Sequence, residues 1–99
     1  MRKEHIYYIY ILSNKNNKVL YIGVTNSLFS RIFKHKLKIN KNSFTAKYNV
    51  YKLVYYEEYQ YINDAIARKK ELKKWNKAWK IRLIEKENPT WHDFFTDME

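Results

Sequence analysis

Two short β-prone runs near the start of the chain constrain its fold more than any other feature. Residues Ile6–Leu12 are almost continuously apolar or aromatic, and residues Val19–Val24 form a second β-rich run. The polar residues Ser13–Lys18 separate the two runs, which predicts an antiparallel hairpin with a buried first strand. Gly23 is the only glycine of the chain and lies near the end of the second strand. Its position indicates a bulge or a backbone that another group approaches closely.

A helix, a polar connector and a third strand follow the hairpin. The apolar spacing predicts the helix over residues 27–38, and either Thr25 or Asn26 can cap it. Residues 40–49 are rich in Lys and Asn and are expected to form a polar connector, of which residues 40–47 either order only against a ligand or are simply mobile. Residues 53–59 predict the third strand.

Two further helices and an aromatic tail complete the predicted order. The first covers residues 64–74 with Asn63 as its cap, and the second covers residues 78–86 and ends before Asn88-Pro89. The tail, residues 91–95, has enough aromatic side chains to pack on the rest of the chain. The elements therefore read ββαβαα, an α+β fold in which helices pack on a sheet.

Length and composition limit the class of protein. A chain of 99 residues suffices for one domain, residues 1–99, built around one core. With 45% hydrophobic and 18% aromatic residues the chain is not disordered through low hydrophobicity, and without cysteine it has no disulfide or thiolate metal site. There is no secretory signal pattern and no apolar run of about 18 residues. A cytoplasmic protein without a membrane partner is expected.

The charge of the chain points to a polyanionic partner. The formal net charge is +10, and the stretch between Glu4 and Glu57 has no acidic residue. Basicity of this kind is typical of nucleic-acid binding, although an AT-rich genome or an anionic membrane surface gives similar compositions. The run Arg68–Arg82 is also basic, and its Trp75 and Trp79 are interpreted as core residues rather than base platforms. The lysines predicted to contact phosphates are Lys34, Lys47, Lys69, Lys73, Lys74 and Lys77.

A spaced set of residues carries a family resemblance. The hairpin holds Tyr8-Ile9-Tyr10 on its first strand and Tyr21-Ile22-Gly23 on its second, and Arg31 and His35 follow on one helix face. With these motifs the chain resembles the GIY-YIG nuclease superfamily, in particular its small stand-alone members similar to the amino-terminal domain of UvrC. The first triplet departs from the family name, because Tyr8 stands where a glycine would.

The resemblance implies a three-stranded antiparallel sheet flanked by helices and an endonuclease that hydrolyses DNA phosphodiesters with Mg²⁺ or Mn²⁺. It implies that Tyr10 assists the attacking water, that Tyr21 orients water or phosphate, and that Arg31 holds the phosphate. His35 would carry a proton or bind phosphate. Without the family, the two tyrosines equally suit a cross-strand aromatic pair, and Arg31 alone suits a solvated helix residue.

One position does not fit the resemblance. The family's metal-binding glutamate corresponds to Lys69, and a lysine repels a hard cation that needs oxygen ligands. Glu57, Glu58 and Glu71 are the carboxylates that could substitute; because adjacent strand residues face opposite ways, one of Glu57 and Glu58 could reach the site.

Three functions stay open at this point. The first is a metal-dependent endonuclease, the second a non-catalytic nucleic-acid-binding module on the same scaffold, and the third a scaffold for protein partners. A chain with one glycine has no glycine-rich phosphate loop, so no small-molecule cofactor is expected.

Overall fold

The computed structural model describes residues 5–98 and contains three strands, four helices and a C-terminal 3₁₀ turn. In chain order the elements are β1 (Tyr7–Ser13), β2 (Leu20–Thr25), α1 (Leu28–Lys36), α2 (Phe44–Lys47), β3 (Lys52–Tyr59), α3 (Ile62–Lys74), α4 (Lys77–Glu87) and the C-terminal turn (Phe94–Met98). The strands form one antiparallel sheet in the order β2-β1-β3. The predicted α+β class and three-stranded antiparallel sheet are confirmed.

The pairing of β1 with its neighbours fixes which side chains share a face. Tyr10 lies opposite Gly23 on β2 and opposite Tyr56 on β3. Between β1 and β3 the register shifts, because Ile11 pairs with Tyr55 while Leu12 pairs with Leu53. Val54, between them, is therefore the extra residue of a β-bulge. The bulge turns the successive side chains of Val54 and Tyr55 toward the same face.

Helices cover both faces of this sheet, so the prediction of one core is wrong. On the first face Ile9 and Ile11 pack with Ala65 and Leu72 of α3 and with Ile84 of α4. The opposite face has its own cluster, in which α1 packs on β1 and β3; its buried members are Tyr10, Leu12, Leu28, Ile32, Val50, Leu53 and Phe95. Strand side chains alternate between faces, and here both faces are apolar enough to require a cover.

Several helix starts differ from the sequence-based expectation. The N-cap of α1 is Ser27, neither Thr25 nor Asn26; the Thr25 hydroxyl instead accepts a hydrogen bond from the Ser27 N–H at 3.0 Å. Asn63 does not cap α3, because the helix already begins at Ile62. Asn76 caps α4, where its side chain accepts a hydrogen bond from the Trp79 N–H at 2.9 Å. Of the polar connector, residues 44–47 form α2 without any ligand, contrary to expectation.

The tail joins the two core clusters. Trp91 packs in the α3 cluster and Phe95 in the α1 cluster, so the tail contributes to both faces. The buried Asn88 fixes its start by donating to the carbonyls of Val54 at 3.0 Å and His92 at 2.9 Å. Asp93 accepts a hydrogen bond from the Leu53 N–H at 3.0 Å. The expected packing of residues 91–95 is thus confirmed.

No helix within residues 5–98 is long and apolar enough to span a membrane.

Candidate nucleic-acid phosphate site

The site is built on the β1–β2 hairpin, on the face that α1 covers. Tyr10 and Gly23 are direct cross-strand partners, and Tyr21 lies two residues before Gly23, so all three share this face. A Cβ atom at residue 23 would lie well under 3.0 Å from the Tyr10 hydroxyl and ring carbon Cζ. Gly23 has no positive φ, so its role is the close approach that the sequence predicted rather than unusual backbone geometry.

His35 brings α1 into contact with the hairpin tyrosines. The Tyr10 hydroxyl and His35 Nε2 are 3.2 Å apart and share a hydrogen bond. The His35 ring centroid lies 6.0 Å from that of Tyr10 and 5.7 Å from that of Tyr21, and the two tyrosine centroids are 6.3 Å apart. The three rings therefore pack against one another as one aromatic cluster.

Arg31 lies one turn before His35 and is exposed. Partial burial lowers the pKa of His35, and the positive charge of Arg31 lowers it further. The pKa of Tyr10 is raised well above that of a free phenol, first by burial and then by Tyr21, while Arg31 acts against this shift. Near neutral pH the Tyr10 phenol keeps its proton and can donate it in a hydrogen bond to the uncharged His35 ring.

The sequence-based prediction missed two side chains of the site, Ser43 and Thr45. The buried Thr45 hydroxyl lies 2.8 Å from His35 Nδ1, and the Ser43 hydroxyl lies 3.2 Å from that of Thr45. Ser43 also caps α2 by accepting a hydrogen bond from the Ala46 N–H at 3.2 Å. Serine is a preferred N-cap residue, so Ser43 is a sequence signal that could have located the start of α2. Nothing in the local sequence indicates that Thr45 contacts His35.

The six predicted phosphate-binding lysines lie on different elements. Lys34 is on α1, one turn after Arg31, and Lys47 is on α2; both are exposed. The other four, Lys69, Lys73, Lys74 and Lys77, are on α3 and at the start of α4. Since α3 packs on β1 and β2 from the opposite face, the predicted set does not form one patch with Arg31 and His35.

Lys69 is half-buried on α3. Partial burial lowers its pKa, and the neighbouring Lys73 lowers it further. Lys69 lies on the same side of α3 as the buried Ala65 and Leu72, whereas Ile62 and Ile66 are exposed.

Two of the three candidate carboxylates are engaged elsewhere. Glu57 accepts hydrogen bonds from Tyr59 at 2.7 Å and Arg68 at 3.0 Å, and Tyr55 also donates to it. Burial alone would raise the pKa of Glu57, but these hydrogen bonds outweigh burial and lower it. Glu71 pairs with the same Arg68.

The third carboxylate, Glu58, shares the face of Tyr10 but is exposed on β3, where it pairs with Tyr8. In residues 5–98, no three His, Asp or Glu side chains come close enough together to hold a metal ion.

Trp75 and Trp79 depart from their assignment as core residues. Trp75 packs partly buried against the α3 cluster, but Trp79 is 49% exposed. Their rings meet edge to face with centroids 5.9 Å apart. They line a shallow cleft with Arg82, Leu83 and Lys86 on the side of the sheet away from Tyr10 and His35.

Comparisons with known proteins bear on the fold and the family of the chain. The solution NMR structure of the UPF0213 protein BH0048 from Bacillus halodurans is similar in fold, with a TM-score of 0.56, 23% sequence identity, and coverage of 89% of this chain and 92% of that chain. No curated protein gives a significant match. The family model described as the GIY-YIG catalytic domain matches residues 6–82. Since that match covers the hairpin, α1 and most of α4, the chain belongs to the GIY-YIG family.

Proposed function

We propose that this chain binds DNA by holding a backbone phosphate with Arg31 and Tyr21, beside the hydrogen-bonded Tyr10–His35 pair that orders the site, and that metal-dependent hydrolysis is lost or much weakened. The observation that carries the proposal is the exposed Arg31, one helical turn before the His35 of an uncharged, hydrogen-bonded Tyr10–His35 pair. Arginine binds phosphate oxygens through a planar array of donors, and the protonated Tyr10 phenol carries no negative charge that would repel the phosphate. The cytoplasm is the proposed location, and DNA the proposed partner.

The residues near this site do not suit a divalent metal. Mg²⁺ and Mn²⁺ need oxygen ligands, and the resemblance assigns the family's glutamate position to Lys69. Glu57 and Glu71 hold Arg68 instead, on the face away from Tyr10. A lysine can neutralise phosphate charge but cannot generate a metal-activated water. The donor set therefore favours phosphate binding over turnover.

One observation favours DNA hydrolysis as a second candidate. His35 is held from both ring nitrogens, by Tyr10 at 3.2 Å and by Thr45 at 2.8 Å, which fixes the ring as a positioned base would be. The family implies phosphodiester hydrolysis with a divalent metal. Because His35 Nε2 faces the Tyr10 hydroxyl, the proton of an attacking water would pass to the Tyr10 oxygen while Tyr10 transfers its own proton to His35. This candidate requires a ligand for Mg²⁺ or Mn²⁺ that the described side chains do not supply.

Binding and cleavage of DNA separate the two candidates. Single-stranded, duplex and branched DNA are incubated with the native chain, Arg31→Ala, Lys69→Glu and Lys70→Glu in Mg²⁺ or Mn²⁺. Lys70→Glu is the matched control, because it makes the same charge change at the neighbouring, exposed position. We expect the native chain to bind without cleaving and Arg31→Ala to bind more weakly. Cleavage gained by Lys69→Glu but not by Lys70→Glu would show that position 69 on α3 reaches the bound phosphate from the other side of the sheet.

Cleavage by the native chain that disappears in Tyr21→Phe or Arg31→Ala would overturn the proposal in favour of hydrolysis. An affinity that does not fall with rising salt would exclude phosphate binding altogether. If Lys69→Glu and Lys70→Glu both fail to cleave, Lys69 is not the cause of the missing activity.

A further inference from the structure

We propose that Phe44 and Tyr48 form a stacking platform for an unpaired DNA base, so that the preferred ligand is single-stranded DNA. We call these two side chains the α2 platform. The inference rests on the proposed function, since it places a base next to the phosphate held by Arg31 and Tyr21. The Phe44 and Tyr48 rings lie 4.8 Å apart, and their side chains are 47% and 45% exposed. At this exposure, apolar ring surface faces water and is available to a binding partner.

The α2 platform is adjacent to the phosphate site. Phe44 stacks on Tyr21 with ring centroids 6.3 Å apart and an interplanar angle of 28°. Tyr21 in turn lies 5.7 Å from the His35 ring. Tyr21 is therefore the one ring between Phe44 and His35. This spacing suits a base on the platform and a phosphate of the same strand at the site.

The platform and the site are also held by the same short helix. Thr45, which bonds His35 Nδ1, stands between Phe44 and Lys47 on α2. The buried Thr45 side chain and the Ser43 cap fix the backbone that presents Phe44. A rigid aromatic surface loses little conformational freedom when a base stacks on it, which favours binding.

The charge around the platform suits a nucleic acid. The Lys47 ammonium lies 5.6 Å from the Tyr48 ring centroid. The sequence between Glu4 and Glu57 has no acidic residue, so every formally charged side chain of α1, α2 and their connection is positive. An aromatic surface beside cations is typical of single-strand binding, in which bases stack and phosphates pair with lysine or arginine. A duplex hides its base faces in the helix stack and cannot use such a surface.

A second exposed aromatic pair, Phe29 and Phe33, has a different explanation and serves as the control. Both rings pack on Phe95 of the C-terminal turn, with centroids 5.0 Å and 6.4 Å away. Phe33 is 46% exposed, which matches Phe44, and it also belongs to a stacked pair. Since two residues on a helix are about 200° apart, Phe33 faces away from His35 and the platform.

The test measures fluorescence anisotropy of two labelled oligonucleotides in EDTA at low salt. One is a short oligothymidine, and the other has the same backbone with abasic sites throughout. The variants are Phe44→Leu and Tyr48→Leu, with Phe33→Leu as the control and Arg31→Ala for the phosphate site. We expect Phe44→Leu to weaken oligothymidine binding about 5- to 150-fold, the range for one stacked base, and to leave abasic binding unchanged. Tyr48→Leu should behave similarly, while Phe33→Leu binds both oligonucleotides as the native chain does.

The outcomes distinguish failure of the platform from failure of the phosphate site. Suppose that Arg31→Ala weakens binding of both oligonucleotides, whereas Phe44→Leu and Tyr48→Leu weaken binding of neither. The platform proposal is then wrong and the phosphate site stands. If Arg31→Ala changes neither affinity, the proposed function itself fails. Equal weakening of thymidine and abasic binding in both platform variants would mean that these side chains act through the fold of α2, which also overturns the platform.

Discussion

At the scale of single residues, Gly23 determines where Tyr10 lies. A side chain at position 23 would meet the Tyr10 hydroxyl, and Tyr10 is only 1% exposed and has no free space to move into. We expect Gly23→Ala to lower the free energy of unfolding in urea by about 1–3 kcal/mol, the usual effect of overpacking. The effect should shrink in a Tyr10→Leu background, where the ring that causes the clash is absent. An equal loss in both backgrounds would contradict a direct contact.

A second residue-scale prediction concerns His35. Burial and then Arg31 lower its pKa in the folded chain below the ordinary value of 6.5, so the unfolded chain takes up a proton first as the pH falls. The contribution of neutral His35 to stability is complete above pH 6.5 and is lost as the pH falls toward the lowered value. The urea unfolding free energy of the native chain should therefore fall more between about pH 7.5 and pH 5.5 than that of His35→Gln. Parallel pH profiles would show that the folded pKa is not lowered.

Part of this site follows from sequence periodicity and part does not. Alternation along the strands correctly predicts that Tyr10, Tyr21 and Gly23 share a face, and helical spacing places Arg31 beside His35. The hydrogen bond between Tyr10 and His35 depends on how α1 docks on the sheet, which no local pattern encodes. The same holds for Glu57, whose partner Arg68 comes from another element.

At the scale of elements, α2 connects the polar loop to the site. Four residues are too few to show helical periodicity, so composition alone led to the incorrect prediction of a connector that is mobile or orders only against a ligand. The helix is held by its local Ser43 cap and by the tertiary contact of Thr45 with His35. By contrast, α4 was predicted to within one residue at each end, and Asn88-Pro89 marks its C-terminal end in the sequence.

Thr45→Val tests the role of α2 directly. Valine preserves the shape of threonine but leaves His35 Nδ1 without its partner, so we expect a loss of about 1–3 kcal/mol in the free energy of unfolding. The His35 ring resonances in an NMR spectrum should shift as well. Thr45→Ser keeps the hydroxyl and should restore the native resonances; if Thr45→Val leaves them unchanged, the contact does not form in solution.

At the scale of the whole molecule, the sheet divides the basic residues between two surfaces. Lys34 and Lys47 accompany Arg31, whereas Lys73 and Lys74 belong to the helix on the other face. The sequence predicted a single set because charge along the chain does not reveal which side of a sheet each helix covers. One core was expected and two clusters were found, for the same reason.

The salt dependence of single-stranded DNA binding tests this division. Each phosphate contact adds about 0.7 to the slope of log affinity against log salt. The double variant Lys34→Gln/Lys47→Gln should therefore reduce the slope by about 1.4, whereas Lys73→Gln/Lys74→Gln should leave it unchanged. Equal reductions in both variants would indicate that DNA wraps both faces.

The tail that joins the two clusters has a consequence for synthesis on the ribosome. Trp91 completes one side of the sheet and Phe95 the other, so a nascent chain that still holds residues 91–95 inside the exit tunnel leaves both sides unfinished. The hairpin with its tyrosines emerges early, yet the helix that presents Arg31 is packed in part by Phe95. The packing that fixes the position of α1 is therefore completed only after the tail has left the tunnel.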